Sequence, residues 1–350
     1  MKGRKRTWRT KLNLSWAAGL LCGAVVLAVV AGAANAQPIP IRIGYTVPAF
    51  EIHTLFYMKP ELLKHYGKSY TTELINFRGS TPQIQGFAAK AVEFGALAYS
   101  SFPLAVTNAG LDLKILADDL QDGTNGAFTE PWTVLESSPI KTVKDLKGKL
   151  LATNAHGTAV DLAMQVMLKK NNLVAGKDYT VVEVMFPNQE VMLRQGKIDL
   201  AIFVQPFWSN ALKTGGLRTI FTMMDAMDGP TQIVAFNGRG DFLRNRPEVA
   251  KDFMEDFLRA WKWYLDPANR DEAVKVAAKF TKRPEAAFSS WFLLRQWDSY
   301  RDPNAWPNID AFQRNVDTLH KYGLMEKQFK VSDYVDLSWL KEAHRRIGSK

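Results

Sequence analysis

From about residue 40 the apolar positions fall into short blocks whose period switches between two and roughly 3.6. "IPIRIGYTV" reads as a strand, residues 55–65 as a helix and "YTTELINF" as a strand again. Residues 81–89 read as a helix, "VEFGALAY" as a buried strand, "FPLAVTNAG" as a helix closed by Gly110 and "LDLKILAD" as a further strand. The order resumes with "KLLATNA", a helix over "HGTAVDLAMQVMLKKNNL", "YTVVEVMF", a short helix over 188–195, "IDLAIFV", a helix over 207–213 and "LRTIFTM". Strands alternating with helices through short connections predict an α/β chain with mostly parallel sheets.

One unit occurs twice. "VEFGALA" begins at residue 92 and "IDLAIFV" at residue 198, so the second lies 106 positions after the first. Each follows a short helix carrying a glutamine, Gln83 or Gln189, and a lysine, Lys90 or Lys197. The spacing is too long for a solenoid repeat and fits two domains built on one plan. Two extended segments, "TEPWTVLESS" and "GPTQIVAFNGRG", read as crossings between them. After Pro247 the pattern is helical, with Phe253, Phe257, Trp261 and Tyr264 on one face. These helices are expected to pack on the first domain. The expected division is a leader over 1–36, a first lobe over 37–131 and 231–350, and a second lobe over 132–230.

The leader reading rests on a basic head (Lys2, Arg4, Lys5, Arg6, Arg9, Lys11), an apolar run and the small residues Ala34-Asn35-Ala36. That is the layout of a cleavable signal peptide, so a periplasmic location is expected. The leader also changes the charge. It holds six of the 45 Lys and Arg and no acid, leaving 39 bases against 35 acids, net +4. A nucleic-acid partner is therefore not expected. The lone cysteine, Cys22, falls in the leader, so the remainder has no thiol chemistry and relies on core burial.

Catalytic signals are sparse. Among His53, His65, His156, His320 and His344 no two share ligand spacing on one helix, so no metal site is expected. "GKS" at 67–69 lacks the upstream glycine of a phosphate loop, and Asp118-Asp119 read as a strand end and a solvated turn. Binding signals are richer. In open α/β sheets ligands sit beyond the carboxyl ends of strands, which here are Tyr99-Ser100 and Gln205-Pro206. "NAHGTAVD" places His156, Gly157 and Thr158 where a strand gives way to a helix, and helix N-termini favour anions. "RGSTPQ" does the same with Ser80 and Thr81, while Arg78 is either an anion partner or a surface ion-pair partner. Trp132 on the first crossing, and Phe207 behind Gln205, are candidate pocket walls.

In this order "IRIGY", "GSTPQ", "VEFGALAYSSFPLAVTNAG", "SPIKTVKDLKGK", "GKIDLAIFVQPFW" and "FLRNRPEVAKDF" resemble the substrate-binding components of ABC importers. The likeness is to the nitrate/sulfonate/taurine branch, with its thiamine-pyrimidine-precursor relatives, and runs from about Ile41 to Tyr334. It implies a two-lobed periplasmic binding protein fold of type II, each lobe a small mostly parallel sheet flanked by helices, with extra C-terminal helices. It implies ligand contacts at Ser80, Thr81, Tyr99, Ser100, the 156–158 helix start and Gln205. The implied function is delivery of a small organic anion, a sulfonate or carboxylate with a possible aromatic body, or a nitrate-like solute. The implied partners are that solute and inner-membrane permease subunits, with a monomeric protein, no cofactor and no catalysis. Alternatives are an enzyme on the same fold, like a pyrimidine-precursor synthase, or the ligand-sensing subunit of a receptor. His156-Gly157-Thr158 and Gln205-Pro206 depart from the branch's usual Gly-Ser-Ser and Trp-Asp-Pro, so the resemblance does not carry over a particular ligand.

Overall fold

The computed structural model describes residues 37–348; the expected leader lies outside them. Among the described residues no helix is long and apolar enough to cross a membrane. β1 (Ile39–Tyr45) alternates so that Ile41 and Ile43 are fully buried. Two 3-10 turns, Ile52–Met58 and Pro60–Leu62, stand where the pattern predicts one helix. Pro60 explains the break: it has no N–H, and it pushes Lys59 out of the helical region, to φ −128° and ψ 66°.

Next come β2 (Tyr70–Asn76), α1 (Ser80–Ala88), β3 (Phe94–Ala98), α2 (Ser101–Thr107) and β4 (Leu113–Asp122). A second group follows: β5 (Pro131–Leu135), β6 (Lys149–Thr153), α3 (Ala159–Lys170), β7 (Tyr179–Glu183), α4 (Phe186–Arg194), β8 (Ala201–Ile202), α5 (Phe207–Thr214), β9 (Leu217–Thr222) and α6 (Met223–Met227). The chain finishes with β10 (Thr231–Arg239), α7 (Gly240–Asn245), α8 (Pro247–Leu265), α9 (Arg270–Thr281), α10 (Ile309–Lys321) and α11 (Ser338–Gly348).

The first sheet has the order β2-β1-β3-β10-β4, and only β10 runs against the others. In the second group β5 lies antiparallel between β8 and β9, and β6 pairs with β7 in parallel. Asp199 N–H donates to the Leu150 carbonyl (2.8 Å) and Ala152 N–H to that of Leu200 (2.9 Å), which joins β6 to the edge of β8. The second order is thus β7-β6-β8-β5-β9, the same plan with β5 in the place of β10. The repeated sequence unit supplies β3 in one sheet and β8 in the other.

Asp118 and Asp119 correct the sequence reading. β4 continues to Asp122, and both aspartates are fully buried rather than in a solvated turn. The interior satisfies Asp118, which accepts from Gln232 Nε2 (2.7 Å), Gln121 Nε2 (3.0 Å) and the Asp302 N–H (2.8 Å).

The helical tail covers the first sheet. Phe253 on α8 stacks on Phe94 of β3 with ring centroids 4.4 Å apart, and Phe257 lies 4.6 Å from Phe236 of β10. Burying each such ring contributes roughly 1.5–3 kcal/mol. Phe253→Ala is expected to cost about 3–5 kcal/mol. Thr231 to Arg239 thus has β3 and β4 on its flanks and α8 on its face, which anchors the return crossing firmly in the first sheet.

Candidate ligand-binding site

Two adjoining chambers open at the carboxyl ends of the strands. The outer one, about 320 Å³, is walled by Tyr45, Asn76 and Phe77 from the first sheet's side and by Phe186, Pro187 and Phe207 from the second. Arg78, Arg283 and Phe288 complete its rim. The inner chamber, about 60 Å³, holds Ser80 at the start of α1, and Thr158, Ala159 and Val160 at the start of α3. Glu51, Glu130 and Asn154 supply its other polar groups, and Thr46, Val47 and Phe186 border both chambers.

Both helices point their N-termini at the inner chamber because each follows a strand directly. α1 starts at Ser80 and α3 at Ala159, and the N–H groups of Ser80, Ala159 and Val160 have no acceptor among the described residues. The Ser80 hydroxyl likewise makes no hydrogen bond there. Such converging donors and helix dipoles favour negative charge. Two buried carboxyls border the same space. Burial, reinforced by the charge of Asp119, raises Glu51 to about 7 against the opposing pull of His53 and the Val47 and Thr46 amides. Burial, then Asp122, holds Glu130 well above the carboxylate range. A neutral Glu130 is a hydrogen-bond donor rather than a repelling charge.

The two sides meet closely over this chamber. A Cβ on Gly79 would fall 2.9 Å from Thr158 Cγ2 and 3.0 Å from Asn154 Nδ2, so a side chain there would force these two side chains to move away. Asn154 Nδ2 donates to the Arg78 carbonyl at 3.1 Å, and Arg78 pairs with Glu183 at 3.2 Å.

The residues singled out from sequence have different surroundings. Ser80 and Thr158 line the inner chamber, and Phe207 lines the outer one with the Arg283 guanidinium 5.7 Å over its ring. Thr158 Oγ1 is within bonding distance of Asn154 Oδ1 and the Ala155 carbonyl, both at 2.8 Å. The Thr81 hydroxyl is buried without a partner among the described residues and faces Gly157. Gly157 has φ +74°, a left-handed conformation that favours glycine, and its N–H donates to Asp161 at 2.9 Å. His156 is largely exposed, and its N–H goes to Glu183 at 2.8 Å. Tyr99 is fully buried and donates its hydroxyl to the Ala159 carbonyl at 2.9 Å, across the junction. Ser100 is buried and lines neither chamber. Trp132 is a core residue stacked on Phe221 at 4.8 Å. Gln205 is fully buried: Nε2 donates to the Trp297 carbonyl (2.7 Å), and Oε1 accepts from the Ser209 N–H (3.2 Å).

Glu51, Glu130, Asn154, Phe77, Phe186 and Arg283 line the chambers without having been singled out. Phe77 and Phe186, each at the end of a strand-like run, and Asn154, at the head of "NAHGTAVD", carried a local signal; the others did not.

Two sheets of matching order, each holding one reversed strand, with a cleft at their carboxyl ends, define the periplasmic binding protein fold. Solved structures with this fold align over most of the chain. The alkanesulfonate-binding protein SsuA from Xanthomonas axonopodis pv. citri, bound to MOPS, has a TM-score of 0.65 at 20% identity, covering 86% of this chain and 99% of that one. The periplasmic nitrate-binding protein NrtA from Synechocystis PCC 6803 has a TM-score of 0.68 at 13% identity, covering 89% and 90%. An Escherichia coli (strain K12) protein named for binding aliphatic sulfonates is 23% identical over 320 residues, 89% of this chain and 93% of that protein. Residues 73–270 match the family model described as NMT1/THI5 like, and the chain belongs to that family.

Proposed function

We propose that the protein is the extracytoplasmic solute-binding component of an ABC importer, presenting a small organic anion with an aromatic or apolar body to inner-membrane permease subunits. The observation that carries this reading is the convergence of the α1 and α3 N-termini on a small inner chamber beneath an aromatic-walled outer one. The inner chamber suits a compact anionic head, held by free N–H groups, the Ser80 hydroxyl and neutral Glu130. The outer chamber suits the body, between Phe77, Phe186 and Phe207, with Arg283 at its rim. The sulfonate- and nitrate-binding relatives agree with an anionic solute.

A solute touching both sides favours the closed arrangement by its differential affinity, so a periplasmic monomer with residues 37–131 and 231–350 closing on 132–230 is the corresponding working picture. The test is a thermal-shift panel on protein unfolded and refolded to remove carried-over solute. Sulfonates, nitrate, aliphatic and aromatic carboxylates and pyrimidines are compared. Solute at about 100 times its Kd adds roughly 2.7 kcal/mol to stability. A shift confined to anions supports the proposal; shifts only with cations or neutral compounds overturn the anion assignment. The reading is of a binder, so a solute converted to product by the protein would replace it with the enzyme alternative.

A further inference from the structure

One wall of the inner chamber has a use that solute binding leaves open. Glu51 stands in the turn after β1, His53 follows two residues on, and Asp119 lies within β4, which the fold brings alongside them. All three are buried, with exposures of 4%, 0% and 0%. One ligand atom from each lies within 4.8 Å of the other two. His53 Nδ1 is 3.1 Å from Asp119 Oδ1, and Glu51 Oε1 accepts from the N–H groups of Thr46 (2.9 Å) and Val47 (2.8 Å).

Among the described residues those bonds leave Glu51 Oε2 and Asp119 Oδ2 buried without a partner, while the second imidazole nitrogen, His53 Nε2, has only the Gly44 backbone beside it. Buried polar atoms are nearly always satisfied, so two orphaned carboxylate oxygens beside one imidazole point to something that satisfies them. Among the described residues neither Glu51 nor Asp119 has an ion pair with lysine or arginine. The surroundings hold the groups in place. The Phe236 ring packs edge-on against the His53 imidazole at 5.3 Å, and the bonds that fix neighbouring Asp118 pin β4 on its other face.

We propose that Glu51, His53 and Asp119 form a divalent-cation site at the edge of the inner chamber. One imidazole and two carboxylates form the donor set of Zn²⁺ or Mn²⁺, whereas Mg²⁺ and Ca²⁺ favour oxygen alone. A divalent ion balances two carboxylate charges that no lysine or arginine among the described residues reaches. Three protein ligands leave a coordination position open. Glu51 is both a ligand and part of the chamber wall, so that position lies where an oxygen of the solute's anionic head can take it.

The experiment uses the full chain purified without a polyhistidine tag and stripped with a chelator. Co²⁺ is titrated because, unlike Zn²⁺, it absorbs visible light when bound at low coordination number. The expected result is absorption that saturates at about one equivalent, a rise in Tm, and displacement by Zn²⁺. Asp119→Asn and Glu51→Gln, each checked for folding by circular dichroism, are expected to lose the signal. No absorption and no Tm change in the unsubstituted protein overturns the site, as does a signal that survives in a folded form of either variant. The titration contains no solute, so its outcome is independent of the solute panel.

Discussion

Gln205 Nε2 donates to the carbonyl of Trp297 at 2.7 Å, tying the end of a second-sheet strand to the segment between α9 and α10. Lys213 Nζ, on the next helix, reaches the Ala286 carbonyl of the same segment at 3.3 Å. The segment is thus a third bridge between the halves, besides the two crossings. Gln205→Ala loses this bond and the one from Ser209, and is expected to lower unfolding free energy by about 1–3 kcal/mol. It should also favour opening. Small-angle scattering of the solute-free variant is expected to show a larger radius of gyration than the unsubstituted protein, and equal radii would argue against a latch.

Gly79 tests closure by sterics alone. Its φ of 178° is ordinary extended backbone, so alanine brings no backbone strain. Its Cβ would nevertheless press on Thr158 and Asn154 from across the junction. Gly79→Ala is expected to weaken solute affinity at least about tenfold, roughly 1.4 kcal/mol. Its solute-free Tm should move little. Calorimetry and a melting curve on one preparation separate the two effects.

Arg283 has no carboxylate partner among the described residues and sits over Phe207 at the outer rim. Arg283→Ala is expected to weaken an anionic solute by about tenfold at low salt, and by less as ionic strength rises, because the group is exposed. Arg78, already paired with Glu183, should matter less. Equal losses from both substitutions would place the solute differently.

Asp122 and Glu130 give the stability a pH dependence. The Glu130 N–H donates to Asp122 Oδ2 at 2.7 Å. Burial raises Asp122 to about 7 despite bonds from Thr129 and that N–H. Burial, then Asp122, raises Glu130 as well. The folded chain therefore keeps protons that the unfolded chain releases near about pH 4. Raised carboxyl pKa values mean that this contribution is full at acidic pH and is lost as pH rises through about 7. Urea unfolding is expected to give lower stability at about pH 8 than at about pH 5, and Glu130→Gln should flatten the slope.

The plan of the fold was legible because it repeats. "VEFGALA" and "IDLAIFV" carry the buried-strand signature, and strand-to-helix transitions pointed to Ser80 and Thr158, which line the inner chamber. Other residues gave no local sign. Asp119 looked like part of a polar turn because its charge suggests solvent, yet β4 carries it inward against His53, 66 positions earlier. Arg283 reaches the rim only because the chain after α9 folds back over α5. Gln205 has the side chain of a ligand contact and a strand-end position, but both ends of its amide are taken within the protein. Sequence patterns report which face a residue turns to the core; they do not report partners supplied from distant segments.

Asp122 and Thr231 are register partners on the ladder between β4 and β10. The chain departs for the second sheet from one and comes home at the other. The second half is therefore a guest spliced into a hairpin of its host, with entry and exit side by side. A short turn joining those neighbours would close the host sheet without it. The same adjacency sets the two crossings side by side, so a twist of the guest is felt in the host at the reversed strand beside β3, the strand that ends beneath the inner chamber.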